Sequence, residues 1–153
     1  AHMTPSISEI LTLERTQLGA QCSSKKRVIE YVANFLADKI PDAQADDLYE
    51  HLIAREKLGS TGIGEGIAIP HSRLSECEDT LGALFILENP IDFDAIDRVP
   101  VDIVFVLLVP TEATEQHLQT LSMLAQKFSQ QSFRDNLRQA KSSGELYQIA
   151  IAQ

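Results

Sequence analysis

Residues 101–109 read Val-Asp-Ile-Val-Phe-Val-Leu-Leu-Val and are closed by Pro110. A run this apolar, rich in β-branched residues and without polar alternation, predicts a strand covered on both faces. Leu81–Leu87, Leu-Gly-Ala-Leu-Phe-Ile-Leu, is nearly as continuous, Ile67–Ile69 is a short apolar piece, and Thr16–Cys22 fits a first short strand. Strands with two buried faces need helices on either side.

Val28, Val32, Leu36 and Ile40 recur every four residues and predict a helix over about Ser24–Lys39, with Ser23 or Ser24 as cap and Pro41 as stop. A second helix fits Asp46–Leu58, with Asp46 or Asp47 as cap, Leu48, Leu52 and Ile53 facing inward, and Gly59 just past its end. After Pro110 a third helix fits Glu115–Phe128, capped by Thr114, with Leu118, Leu121, Leu124, Ala125 and Phe128 on its apolar face. A fourth fits Ser132–Ala140, and a fifth, Gly144–Ala152, is introduced by the capping-box pattern Ser142-x-x-Glu145. Helices before and after a set of buried strands imply an α/β sandwich with helices on both faces of the sheet. The 153 residues suit one domain, read as residues 4–153, with Ala1-His2-Met3 as a cloning remnant.

Acidic residues outnumber basic ones 22 to 13, for a net charge of −9. This disfavours nucleic acid and anionic membranes as partners and favours a basic protein surface. No apolar run approaches the roughly 20 residues that span a bilayer, so no membrane insertion is expected. Cys22 and Cys77 are too few for a disulfide framework and fit a reducing, cytoplasmic setting.

The chemistry concentrates in residues 55–71. Four of the seven glycines, Gly59, Gly62, Gly64 and Gly66, fall within eight residues, and Ile67-Ala-Ile-Pro-His71 follows. Clustered glycines can aim successive amides at one anion. The loop is no P-loop, because Gly64 is followed by Glu65 rather than lysine, and no dinucleotide fingerprint, because it leads from a helix into a strand. His71 is the candidate nucleophile. A neutral imidazole can attack phosphorus and hold a phosphoryl group covalently. Glycine amides, the hydroxyls of Ser60 and Thr61, and Arg55 in the last turn of the preceding helix would meet the resulting anion. His117 falls in the first turn of a helix, just beyond the longest strand, where the helix dipole favours a neutral ring able to donate to a phosphoryl oxygen. A metal site of His71, His117 and Cys77 matches no standard zinc spacing, so no metal and no cofactor are expected.

Arg55-Glu-Lys-Leu-Gly-Ser-Thr-Gly-Ile-Gly-Glu-Gly-Ile-Ala-Ile-Pro-His71 resembles the phosphorylation-site signature of the mannitol/fructose-type (type-2) enzyme IIA domains of the bacterial phosphoenolpyruvate-dependent phosphotransferase system, and most of all their nitrogen-related branch. The resemblance extends over Pro90-Ile-Asp-Phe-Asp-Ala-Ile-Asp97, Pro100–Pro110, His117-Leu-x-x-Leu121 and Glu145-Leu-Tyr-Gln-Ile149. It implies a mixed sheet of about five strands between helices, with His71 as phospho-acceptor and Arg55 and His117 as its companions. Ser60, Thr61, Gly62, Gly64 and Gly66 would line the phosphate loop. Where the family often has Pro-His-Gly-Lys, this chain has Pro70-His71-Ser72-Arg73. The resemblance further implies an HPr-like carrier (NPr) as phosphate donor, and control by phosphorylation state of partners such as potassium transporters or sensor kinases. A transport IIA serving a separate IIB, and a binding module without phosphotransfer, are the alternatives.

Overall fold

The computed structural model describes residues 4–152, so the remnant expected at residues 1–3 lies outside the described residues. In chain order the elements are α1 (Ile7–Ile10), a 3-10 turn (Leu13–Arg15), β1 (Thr16–Ala20), α2 (Lys25–Ala37), α3 (Ala45–Leu58), β2 (Gly62–Gly64), β3 (Ile67–Ala68), β4 (His71–Arg73), β5 (Leu81–Ile91), β6 (Val101–Val109), α4 (Thr114–Phe128), α5 (Gln131–Arg138) and α6 (Ser143–Ile151).

Among the described residues six strands form one mixed sheet in the order β1-β5-β6-β3-β2, with β4 also on β6. β5 and β6 are antiparallel, β1 runs parallel to β5, and β3 and β4 both run parallel to β6. β3 and β4 lie end to end along one edge of β6: Ile67 pairs with Ile103, and His71 with Leu107. Pro70 interrupts them because it has no N–H to give, yet its carbonyl still accepts from Leu107 N at 2.9 Å.

β6 alternates between two cores. Val101, Val104, Val106 and Leu108 pack with α2 and α3, while Ile103, Phe105, Leu107 and Val109 pack with α1, α4, α5 and α6. The unbroken apolar runs are therefore the sequence form of double burial. Phe85 on β5 meets Tyr31 and Phe35 edge-on at 5.8 and 5.2 Å between ring centres, and Phe105 meets Phe128 at 6.0 Å.

Ser24 caps α2 by accepting from Arg27 N, and Ser142 caps α6 by accepting from Glu145 N. Two expected caps differ. α3 starts after Gln44, which leaves Asp46 and Asp47 inside the first turn, and α4 starts after Ala113, with Thr114 already helical. Leu118, expected inside, is 65% exposed, because the inward stripe of α4 is His117, Thr120, Leu124 and Phe128. The two short strands β2 and β4, and the single turn α1, carry too few residues to show a period.

Gly82 tests the packing between the layers. A Cβ there would lie 2.7 Å from Cζ of Phe105, whose ring is fully buried and cannot withdraw. Gly82→Ala is expected to cost about 1–3 kcal/mol by overpacking, read as a lower urea midpoint at unchanged slope.

Candidate functional site

The end of the sheet where β6 closes at Val109 gathers three side chains from three elements. Arg55 sits one turn before the end of α3, where its Nη1 donates to Gly59 O at 2.9 Å. Its Nε donates to Nε2 of His71, the first residue of β4, at 3.1 Å. Nδ1 of His71 lies 2.7 Å from the carbonyl of Ile69. A carbonyl only accepts, so Nδ1 carries the proton; the guanidinium only donates, so Nε2 presents its lone pair. His117, in the first turn of α4, places its ring at 76° to that of His71, with ring centres 5.2 Å apart.

Both imidazoles are held neutral. Burial is the largest influence lowering the pKa of His71; the Ile69 carbonyl opposes it, Arg55 adds to it, and Glu56 opposes it more weakly. His117 is pushed down to about 4, first by burial, then by the neighbouring His71 ring and by the positive charges of Arg73 and Arg55. The residue is only 8% exposed, and its Nε2 is buried without a hydrogen-bond partner among the described residues. An unpaired polar atom at that depth is costly and calls for a reason. A neutral ring with a free nitrogen beside a second nucleophilic ring supplies one: it can bond to an oxygen of a group carried by His71.

The expected loop residues behave differently. Ser60 Oγ donates to Phe93 O at 2.6 Å and accepts from Gly62 N at 3.0 Å. Thr61 gives both its N–H and its hydroxyl to the carboxylate of Glu56. Gly64, Glu65 and Gly66 all have positive φ and turn the β2–β3 hairpin at the opposite end of β6, where the amide of Glu65 is taken by Asp97. Ile103 N donates to Gly66 O, and Ile103 is four residues before the partner of His71, so this turn lies about 13 Å along the strand from His71. Arg138 anchors it there through Glu65 O and Asp102. Arg55, His71 and His117 thus come together; Ser60, Thr61 and Gly62 engage Phe93, Glu56 and one another with their polar groups; Gly64 and Gly66 are remote. The Ser72 hydroxyl donates to Arg73 O.

Glu56 escaped the sequence reading. It is 5% exposed and follows Leu48 and Leu52 on the inward stripe of α3. An acid continuing an apolar stripe every fourth residue was the available signal.

Residues 9–152 match the family model described as "Phosphoenolpyruvate-dependent sugar phosphotransferase system, EIIA 2". A curated relative, "Nitrogen regulatory protein" of Pseudomonas aeruginosa, is 48% identical over 145 residues, covering 95% of this chain and 94% of the relative. The crystal structure of nitrogen regulatory protein IIA-Ntr from Neisseria meningitidis superposes with a TM-score of 0.88 at 44% identity, over 94% of this chain and 98% of that one. The mannitol IIA of Escherichia coli shares the fold, with a TM-score of 0.75 at 19% identity over 91% of this chain and 97% of that one.

The depressed pKa values fix a pH response. The unfolded chain binds protons on these histidines near pH 6.5, whereas folded His117 binds one only near pH 4. Between those values the unfolded state holds more protons, so stability falls as pH falls. Unfolding curves from pH 7 to 4 are expected to show a steeper loss for the wild type than for His117→Gln.

Proposed function

Because the chain belongs to the EIIA type-2 family of the phosphoenolpyruvate-dependent sugar phosphotransferase system, we propose that it accepts a phosphoryl group on Nε2 of His71 and uses that group as a regulatory signal. The observation that carries this reading is the pair of contacts on the His71 ring. Nδ1–H is tied to Ile69 O, so the lone pair of Nε2 faces Arg55 and the site.

The donor is a phosphohistidine on an HPr-like carrier of the nitrogen-related kind (NPr). Nε2 of His71 forms the new N–P bond in line as the carrier's N–P bond breaks, and the electron pair of the broken bond returns to the carrier's ring. Nδ1–H stays on the Ile69 carbonyl. Arg55 turns its N–H from the lone pair to an equatorial oxygen, and His117 donates to another. Leu58, 84% exposed and three residues past Arg55, and Leu118, beside His117, are bare apolar anchors for the carrier at the rim of the site.

Phosphorylation brings an anionic group to this rim, enough to switch a docking surface by repulsion or desolvation. The relatives named as nitrogen regulatory proteins favour this regulatory reading, exercised in the cytoplasm on proteins such as potassium transporters or sensor kinases. The family's own description, a sugar phosphotransferase system, keeps a second reading in view, transfer from His71 to a separate IIB protein.

With phosphoenolpyruvate, enzyme I and carrier, the wild type is expected to gain the mass of one phosphate and His71→Ala none; a gain retained by the variant overturns the assignment. His117→Ala is expected to slow acceptance roughly 10²- to 10³-fold, the usual loss for one transition-state donor. In a pull-down read by mass spectrometry, partners should separate between the phosphorylated chain and His71→Ala. Equal recovery in both, with efficient transfer to a IIB protein, would favour the transport reading instead.

A further inference from the structure

Glu56 is the one buried acid of α3, and neither oxygen of its carboxylate is idle. Oε1 accepts from the Thr61 hydroxyl at 2.6 Å, and Oε2 accepts from Thr61 N at 3.0 Å and from Lys25 Nζ at 3.2 Å. Lys25 also pairs with Asp94 at 2.8 Å. Thr61 is therefore clamped at two atoms. Its carbonyl accepts from Ile69 N at 2.9 Å, and the Ile69 carbonyl accepts from Nδ1–H of His71. On the other side of Ile69, the Pro70 carbonyl is fixed by Leu107 N. The Ile69 carbonyl thus has its direction set from both neighbours, on one side by β6 and on the other by Glu56.

Resting on the reading of His71 as phosphoryl acceptor, we propose that Glu56 is a positioning residue that selects the tautomer of His71 through Thr61 and Ile69. It does not act as a base. Its two oxygens are filled by donors, and the path from it to the ring ends on Nδ1, the nitrogen opposite the attacking one. Its contribution is to hold the peptide that keeps the proton on Nδ1. Which nitrogen carries the proton is decided by the hydrogen bond the ring makes. Once the Ile69 carbonyl is free to tilt, only the Arg55 N–H on Nε2 still opposes the Nε2–H form, which then becomes partly populated, and that form has no lone pair facing the site.

The charged and titratable groups facing His71 are Arg55 and Glu56 from α3 and His117 from α4, with Arg73 on its own strand beside His117. Glu56 alone among them is negative, so its removal has a sign unlike that of the others.

The test uses the full chain with Glu56→Gln, and with Thr61→Val and Thr61→Ser as second variants. Ring nitrogens are followed by long-range proton–nitrogen NMR, together with the rate of phosphoryl acceptance from carrier. In the wild type, neutral His71 is expected as the Nδ1–H tautomer alone. Glu56→Gln is expected to give a mixture of tautomers and a His71 titration midpoint lower still. Its kcat should fall roughly tenfold at unchanged KM for the carrier, a loss in the range for groups that orient a reacting residue. Thr61→Val should do the same more weakly, and Thr61→Ser should restore the wild-type tautomer and rate. A folded Glu56→Gln or Thr61→Val with wild-type tautomer and rate, altered only in thermal stability, overturns the proposal. So does loss of rate without a tautomer change. Should the wild type take no phosphate on His71, the phosphoryl reading fails, while the NMR comparison still decides the role of Glu56.

Discussion

β6 has no wet face. Eight of its nine residues, all but Asp102, divide between two apolar layers, and its neighbours are placed by that demand. β5 covers one edge along its length. The other edge is covered by two short pieces, β3 and β4, because Pro70 cannot continue a ladder as a donor. The second piece begins at His71, opposite Leu107, near the carboxyl end of β6. The same strand then ends at Pro110, and the chain turns into α4, whose first turn carries His117. Two histidines 46 positions apart in sequence (117 less 71) meet because one buried strand dictates where both segments run. Open α/β sheets place their reactive groups beyond strand ends of this kind.

That position also sets the electrostatics. The rings are deep enough for burial to be the leading cause of both lowered pKa values, and guanidinium groups push in the same direction. A cation beside a histidine usually reads as an anion site alone. Here it has a second effect, keeping Nε2 unprotonated before any anion arrives. Glu56 is the counterweight, but it is spent on Lys25 and Thr61 and affects His71 more weakly than burial does.

The two layers and the buried strands were legible, because absence of alternation at Leu81–Leu87 and Val101–Val109 is the mark of strands covered on both faces. The helices of α2 and α6 were legible to their caps, since Ser24 and Ser142 act locally. α4 was legible in extent and at Leu121, Leu124 and Phe128, but not at Leu118 and Ala125, which apolarity alone turns inward and the structure leaves exposed. The helix turns the histidine inward instead. Glycine density was ambiguous for a different reason. An anion nest and a tight hairpin both ask for positive φ, and Gly64 and Gly66 use theirs to turn β2 into β3. The meeting of Arg55, His71 and His117 was legible from position, Arg55 in the last turn before the glycine loop and His117 in the first turn after the longest strand, and the likeness to a known signature reinforced it.

On the phosphohistidine reading, the surroundings of His71 also bear on how readily the group is given up. The anion would rest at a half-buried position beside Arg55, with Arg73 nearby, on a chain whose net charge is already −9. The Arg55 guanidinium and one neutral imidazole would hold it without the dense cradle of amides that a storage site would have, because the amides of Thr61, Gly62 and Glu65 have partners of their own. The rim, meanwhile, carries Leu58 and Leu118 exposed. A partner that docks on these leucines, which neighbour Arg55 and His117 in sequence, would also meet His71. With a neutral ring that step desolvates little. With a phosphoryl group it buries an anion unless the partner brings its own cation, and an unpaired buried anion costs several kcal/mol. Discrimination between the two states then follows from the composition of the rim, with no change of fold required.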